Sequence, residues 1–173
     1  MRELGIETIY QDLALADNLG IASNIFLGKE IVKKRLGLVE VLDEKEMEKQ
    51  SDAILDRLKI NIPNRKSTVR DLSGGQRQSV AISRAVFWQA ALFIMDEPTA
   101  ALGVKERQNI LNLIRMLKSQ DISIIIISHN LGFVFEVADR LLILRQGKKI
   151  SELAVSETSE SEVVRLMIGS EKE

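Results

Sequence analysis

Cysteine is absent from this 173-residue sequence, and histidine occurs once, at His129. Without cysteine there is no disulfide scaffold and no thiolate metal site, and one histidine excludes a multi-histidine metal centre. An excess of one charge is also missing, with 24 Lys+Arg against 25 Asp+Glu. The chain therefore has no general field to attract nucleic acid or an anionic membrane, and any such contact has to come from a local patch. No window approaches the roughly 20 uninterrupted apolar residues of a membrane helix, so a membrane role needs another chain to supply the span. The opening Met1-Arg2-Glu3-Leu4-Gly5 has no basic segment followed by an apolar stretch. A signal peptide is not expected, and the chain is expected to stay in the cytosol. What is present, 45% hydrophobic and 28% charged residues, suits one folded domain with a sizeable core and excludes disorder and collagen-like repeats.

Gly5 to Gln11 reads as a short strand carrying Ile6, Ile9 and Tyr10, and residues 12–90 read as mainly helical. Asp43-x-x-Glu46 is a capping-box pattern opening a charged helix whose Met47, Ile54, Leu55 and Leu58 share a face,. A second helix is expected from Ser73-Gly74-Gly75 to about Gln89,. The pattern then changes. Ala91 to Met95 and Ile122 to Ile127 are continuous apolar runs, as in strands covered on both faces of a parallel sheet. Between them Ile110, Leu113, Ile114 and Leu117 recur at helical spacing, which completes a βαβ unit. Leu141–Leu144 and Lys149–Val155 bracket Gln146-Gly147-Lys148 as a hairpin, and the acidic tail offers Val163, Val164 and Met167 as the narrow stripe of a surface helix,.

Polar residues gather at the ends of the two buried strands, where open α/β sheets bind ligands. Asp96 and Glu97 follow the first strand, and Ser128-His129 the second. A strand ending in Asp-Glu can turn one carboxylate to a hydrated Mg²⁺ and the other to a water that attacks phosphorus; the plainer reading is a turn with a capping residue. Leu72-Ser73-Gly74-Gly75-Gln76 has glycines that admit a ligand close to the backbone. The amides opening the next helix, with the Ser73 hydroxyl, form a phosphate cradle in principle; alternatively Ser73 is an ordinary N-cap.

Taken in order, these segments resemble the nucleotide-binding subunit of an ATP-binding-cassette (ABC) transporter. Gln11 matches the Q-loop, Leu72 to Gln76 the signature motif, Leu92 to Glu97 the Walker B strand and Ser128-His129 the switch-histidine loop. Four ordered matches exceed what coincidence supplies. Ile9 to Leu13 with Asn24 to Gly28 is most similar to the ATPases of monosaccharide importers. The resemblance implies an α/β P-loop-NTPase-type fold. Residues 1–11 would be the Q-loop strand of its core and 12–90 a helical subdomain with the signature motif. Residues 91–173 would be a core portion with Walker B, switch histidine, hairpin and helix. It implies ATP and Mg²⁺ as cofactors: Glu97 polarises the attacking water, Asp96 holds Mg²⁺ through water, His129 contacts the γ-phosphate and orients Glu97, and Gln11 senses metal and water. Ser73, Gly74, Gly75 and Gln76 would serve a nucleotide held by a second ATPase subunit, either a like chain or an intact homologue. The helical region would touch the membrane-spanning permease of a sugar importer, which places the chain in the cytoplasm on the inner face of the cell membrane. Nucleic acid is not expected as a partner.

Two departures from the family pattern stand out. No Gly-x-x-x-x-Gly-Lys-Ser/Thr occurs; Gly28-Lys29 and Gly147-Lys148 lack the earlier glycine and the following hydroxyl,. In the family that P-loop precedes the Q-loop, and ten residues precede Gln11, so an N-terminally truncated cassette is expected. After Thr99-Ala100-Ala101-Leu102 the family's D-loop aspartate is replaced by Gly103. The resemblance thus implies an ATPase by family, in a chain lacking one part of the machinery. A non-hydrolytic module lending its signature motif to a complete partner is the alternative. A DNA-repair ATPase ranks last, because the interval from Gln11 to Leu72 has neither the length nor the heptads of a coiled-coil insertion,.

Overall fold

The computed structural model describes residues 5–35, 39–100 and 102–169, Arg35 by its backbone alone. Met1 to Leu4, Ala101 and the tail from Ser170 lie outside the described residues. The described chain forms two compact units that part after Ile127.

The first unit is organised around the apolar runs. β1 (Ile6–Ile9), β4 (Leu92–Asp96) and β5 (Ser123–Ile127) form a three-stranded sheet in the order β1-β4-β5. Both pairings are parallel, Ile9 opposite Met95 and Asp96 opposite Ile127. The Gly5 carbonyl accepts from the Ala91 and Leu92 amides at 2.8 and 3.1 Å, fixing the start of this register. Met95 and Phe93 are buried as the run implies. β5 departs from the expectation of two covered faces: Ile125 and Ile127 are 49% and 53% exposed. Among the described residues β5 is hydrogen-bonded along one edge only, and its side chains alternate so that one set stays uncovered,. The crossover between β4 and β5 is α4 (Val104–Lys118), whose Ile110, Leu113, Ile114 and Leu117 are all buried.

Residues 12–90 contain α2 (Glu44–Arg57) and α3 (Gly74–Phe87), the two helices expected there, and a short α1 (Ile21–Phe26) that no sequence pattern marks. They also contain an antiparallel pair, β2 (Val32–Arg35) and β3 (Val39–Leu42), which the expected helical region does not include. Those strands are short and mostly exposed, so they carry no buried alternation to betray them,. Ile21, Ile25 and Phe26 of α1, Met47 and Leu55 of α2 and Val80 of α3 meet in one core. Asn24, fully buried, knots the approach to α1. Its Oδ1 accepts from the Ala16 amide at 2.8 Å, and its Nδ2 donates to the carbonyls of Ala16 and Gly20 at 3.0 Å.

Asp43 caps α2 as the sequence pattern requires, its Oδ1 accepting from the Glu46 amide at 3.4 Å, while Lys33 donates to the same oxygen at 3.0 Å. That Lys33 bond holds the Asp43 carboxyl below its usual value, and the Arg65 guanidinium does the same for Asp56 near the end of α2. A carboxyl lowered in the folded state favours folding while it is charged, so the contribution is complete above the ordinary value near 3.9 and lost as pH falls through the folded value. The double variant Asp43→Asn/Asp56→Asn is expected to flatten the fall of melting temperature between about pH 5 and 3. Because both pairs are exposed, the effect is modest,. Parallel melting curves for the variant and the parent across that range would contradict it.

The second unit pairs β6 (Arg140–Arg145) with β7 (Lys148–Ala154) through Gln146-Gly147, both at positive φ, 51° and 74°. Such a two-residue turn matches the twist of the strands it joins. Leu141 and Ile143 are buried, and α6 (Glu160–Ile168) packs on β6. The expected α6 stripe is narrower than its sequence suggests, with Val163 buried and Val164 and Met167 about 40% exposed. α5 (Leu131–Val137) opens this unit. No helix among the described residues is long and apolar enough to cross a membrane.

Candidate functional site

Parallel pairing brings the ends of β1 and β4 to the same side of the sheet, and with them Gln11, Asp96 and Glu97. Gln11 is exposed in a turn closed by the Leu13 amide donating to the Tyr10 carbonyl at 2.9 Å. Leu13 and Ala14 then adopt left-handed φ of 61° and 43°, a conformation that costs roughly 1 kcal/mol or more for residues with a Cβ unless the surroundings impose it. Arg84 on α3, 7% exposed, imposes it. Its Nη1 donates to the Ala14 carbonyl at 2.8 Å and its Nη2 to the Leu13 carbonyl at 3.3 Å. One planar fork thus satisfies two carbonyls that a left-handed stretch leaves without partners in regular structure. One turn of chain further on, Arg77 of the same helix pairs with Asp17 at 3.3 Å.

Asp96 closes β4, and the backbone leaves extended geometry at the next residue, since Glu97 has φ 46°. The Glu97 amide donates to the Ile127 carbonyl at 2.9 Å and its carbonyl accepts from the Ala100 amide at 3.0 Å. Both acidic side chains are half-buried, and Pro98 and Thr99 behind them are buried. Strain of this kind on a non-glycine residue at a sheet's carboxyl end is a common mark of a working site. Among the described residues no three Asp, Glu or His side chains cluster as a metal cage. Two adjacent carboxylates at a strand end suit a hard cation that keeps water and substrate oxygens as its other ligands.

Ser73 is both the N-cap of α3 and half of a capping box. Its Oγ accepts from the Gln76 amide at 3.3 Å, and Gln76 Oε1 accepts from the Ser73 amide at 3.0 Å. The plainer reading of Ser73 is therefore realised, and it orders the turn that presents the Gly74 and Gly75 amides, groups with no helical acceptor of their own,. Ser73, Gly75 and Gln76 border a groove of about 680 Å³ shared with Lys105 and Glu106 of α4 and Lys59.

His129 belongs to the second unit, where it is exposed between Ser128 and Asn130. Asn130 caps α5, its Oδ1 accepting from the Phe133 amide at 3.0 Å while its own amide donates to Ser128 Oγ at 3.2 Å. The fold therefore gathers Gln11, Asp96 and Glu97 at one sheet end and sets Ser73 to Gln76 at the head of α3. Two residues that sequence reasoning passed over are tied to these segments. Arg84 could have been found as a charged residue on an otherwise apolar helix face, among Val80, Ala81, Ile82 and Ala85. Glu106 carries no such signal.

The family described as ABC transporter matches residues 2–100. The xylose/arabinose import ATP-binding protein of Sulfolobus acidocaldarius is 46% identical over 166 residues, 96% of this chain and 64% of that protein. The fructose import ATP-binding protein of Rhizobium meliloti is 45% identical over 174 residues, covering 99% and 67% respectively. The ribose import ATP-binding protein of Yersinia pestis is 39% identical over 165 residues, 95% of this chain and 31% of that protein. The chain thus spans about two thirds of the first two relatives and about a third of the last. Among solved structures, an ATP-binding cassette of an ABC transporter superposes with TM-score 0.76 at 26% identity, over 95% of this chain and 69% of that one. A nucleotide-free cassette gives TM-score 0.74 at 23% identity, over 98% and 66%, a likeness of fold alone.

Proposed function

This chain belongs to the ABC transporter family, and from that premise we propose that it serves as an ATP-binding subunit of a sugar import system. The observation that supports the reading is the parallel β1-β4-β5 register, in which Ile9 lies opposite Met95, so that Gln11 and Asp96-Glu97 both follow strands ending on the same side of the sheet. Sugar as the cargo is supported by these three relatives, which are import ATP-binding proteins for xylose/arabinose, fructose and ribose.

In this reading Asp96 would hold a hydrated Mg²⁺, Glu97 would polarise the attacking water, and Gln11 would report on both. His129, in the second unit, would take the switch-histidine role that the family pattern implies. When bound, Mg²⁺ neutralises charge on the phosphate oxygens. The capped turn from Ser73 to Gln76 offers amides and a helix dipole to a nucleotide carried by a second ATPase subunit. Residues 12–90, which include the mostly exposed pair β2–β3, would form the side toward a membrane-spanning permease, with the chain at the cytoplasmic face of the membrane.

A second reading is favoured by one feature. The 173 residues contain no Gly-x-x-x-x-Gly-Lys-Ser/Thr, so the amides and lysine that cradle β- and γ-phosphates come from polypeptide outside them. The chain would then lend its signature turn without hydrolysing nucleotide itself. Mixing it with an intact homologous ATPase subunit separates the two. ATP is expected to tighten association at least about tenfold, or 1.4 kcal/mol, in sedimentation. No response to ATP would remove both readings. Turnover in the mixture that falls with Glu97→Gln in this chain supports the hydrolytic role, and turnover indifferent to that change supports the lending role.

A further inference from the structure

Glu106, the third residue of α4, fills the volume that two glycines in separate segments leave open. A Cβ on Gly75 would lie 2.7 Å from Glu106 Cγ and 2.8 Å from its Cβ, with the Cα 3.6 Å away. A Cβ on Gly103 would lie 2.7 Å from Glu106 Oε2. Neither glycine has a left-handed φ: Gly75 is helical, and Gly103, the N-cap of α4, has φ −67°. Backbone freedom therefore does not explain them, and close approach does. Leu102, in the same β4–α4 connection, adds to the interlock, its Cδ2 standing 3.2 Å from where a Cβ on Gly74 would sit.

From these contacts we propose that Glu106 is a positioning residue, a strut that sets the spacing between the turn at Ser73–Gln76 and the loop running from Glu97 to α4. The inference deepens the ATP-binding reading, on which its functional half rests. The methylene stem of Glu106 carries the contact with Gly75: its Cβ is fixed by the α4 backbone, and its Cγ can leave only by a change of χ1 rotamer,. Its carboxylate folds over Gly103, the region where a helix dipole favours negative charge and an N3 glutamate reaches back toward the N-cap. Glu106 thereby couples the position of α4's first turn to the Gly74 and Gly75 amides. Gly103 in the family's aspartate position then has a physical reason, since a side chain there competes with the Glu106 carboxylate for one volume.

Two measurements test the strut. In melting experiments, Gly75→Ala is expected to lower Tm by about 5 °C or more in the parent chain. In a Glu106→Gly background, which removes both clashing carbons, the same change should cost less than about 2 °C. Glu106→Ala, which keeps the Cβ contact, should rescue only in part. An equal cost of Gly75→Ala in all backgrounds would overturn the steric contact. In ATP-induced association with an intact homologous subunit, Glu106→Gly should weaken binding at least about tenfold with native circular dichroism retained, while Glu106→Gln, which preserves the stem, binds as the parent does. Parent-like association of Glu106→Gly, or equal losses in both variants, would overturn the positioning role. If the parent itself does not respond to ATP, the nucleotide reading fails and the melting cycle still decides the strut.

Discussion

Purified by themselves, these 173 residues are expected to hydrolyse ATP no faster than background. Phosphoryl transfer is driven by positioning and by charge placed on the β- and γ-phosphates, and one arginine-scale contact is worth about 10³ to 10⁵ in rate. A P-loop supplies several such contacts at once through its amides and lysine. The two glycine-lysine pairs in this chain cannot replace it. Gly28-Lys29 lies in the turn after α1, with Gly28 at φ 86° and its amide donating to Glu30 Oε1 at 2.9 Å. Gly147-Lys148 forms the β6–β7 turn and enters a strand. Neither opens a helix, so neither aims a row of amides at an anion. The check is a phosphate-release assay on the parent and on Glu97→Gln. A robust parent rate that this change abolishes would show that the phosphates are held some other way.

Arg84→Ala is expected to weaken the fold of the first unit strongly. It removes a buried guanidinium from the carbonyls of Leu13 and Ala14 and leaves both without that donor in a left-handed stretch. Two charge-assisted bonds lost from a largely buried site amount to about 3 kcal/mol, because water enters poorly to replace them. That corresponds to roughly 6 to 12 °C in melting temperature. Arg84→Lys should recover only part, since an ammonium cannot span two carbonyls in the planar geometry of the fork. The same variants bear on function through the segment after Gln11, which Arg84 ties to α3. A Tm for Arg84→Ala within about 2 °C of the parent would mean that other contacts hold that segment.

The legible parts of this protein are those where one physical requirement acts on neighbouring residues. Ala91 to Met95 and Ile122 to Ile127 announce strands because a short apolar run bounded by polar residues suits a sheet, although Ile125 and Ile127 stay half exposed,. Asp43-x-x-Glu46 and Ser73-x-x-Gln76 announce helix starts because orphan amides need an acceptor at fixed offsets,. The pair β2–β3 stayed hidden for the opposite reason. Val32-Lys33-Lys34-Arg35 and Val39-Glu40-Val41-Leu42 gain little from burial, so their pairing depends on each other and on the Ile31 carbonyl accepting from the Asp43 amide at 2.7 Å.

The order of the motifs, the absence of a P-loop pattern and the place of each capped turn were decided by residues adjacent in the chain, and composition alone excluded thiolate and multi-histidine metal chemistry. Tertiary structure decided what depends on distant residues meeting. Arg84 reaches Leu13 and Ala14 across some seventy positions, and Glu106 determines that position 75 must lack a side chain. A hydrogen-bond fork and a shared volume are properties of three-dimensional proximity, and no local pattern encodes which two segments will compete for the same space.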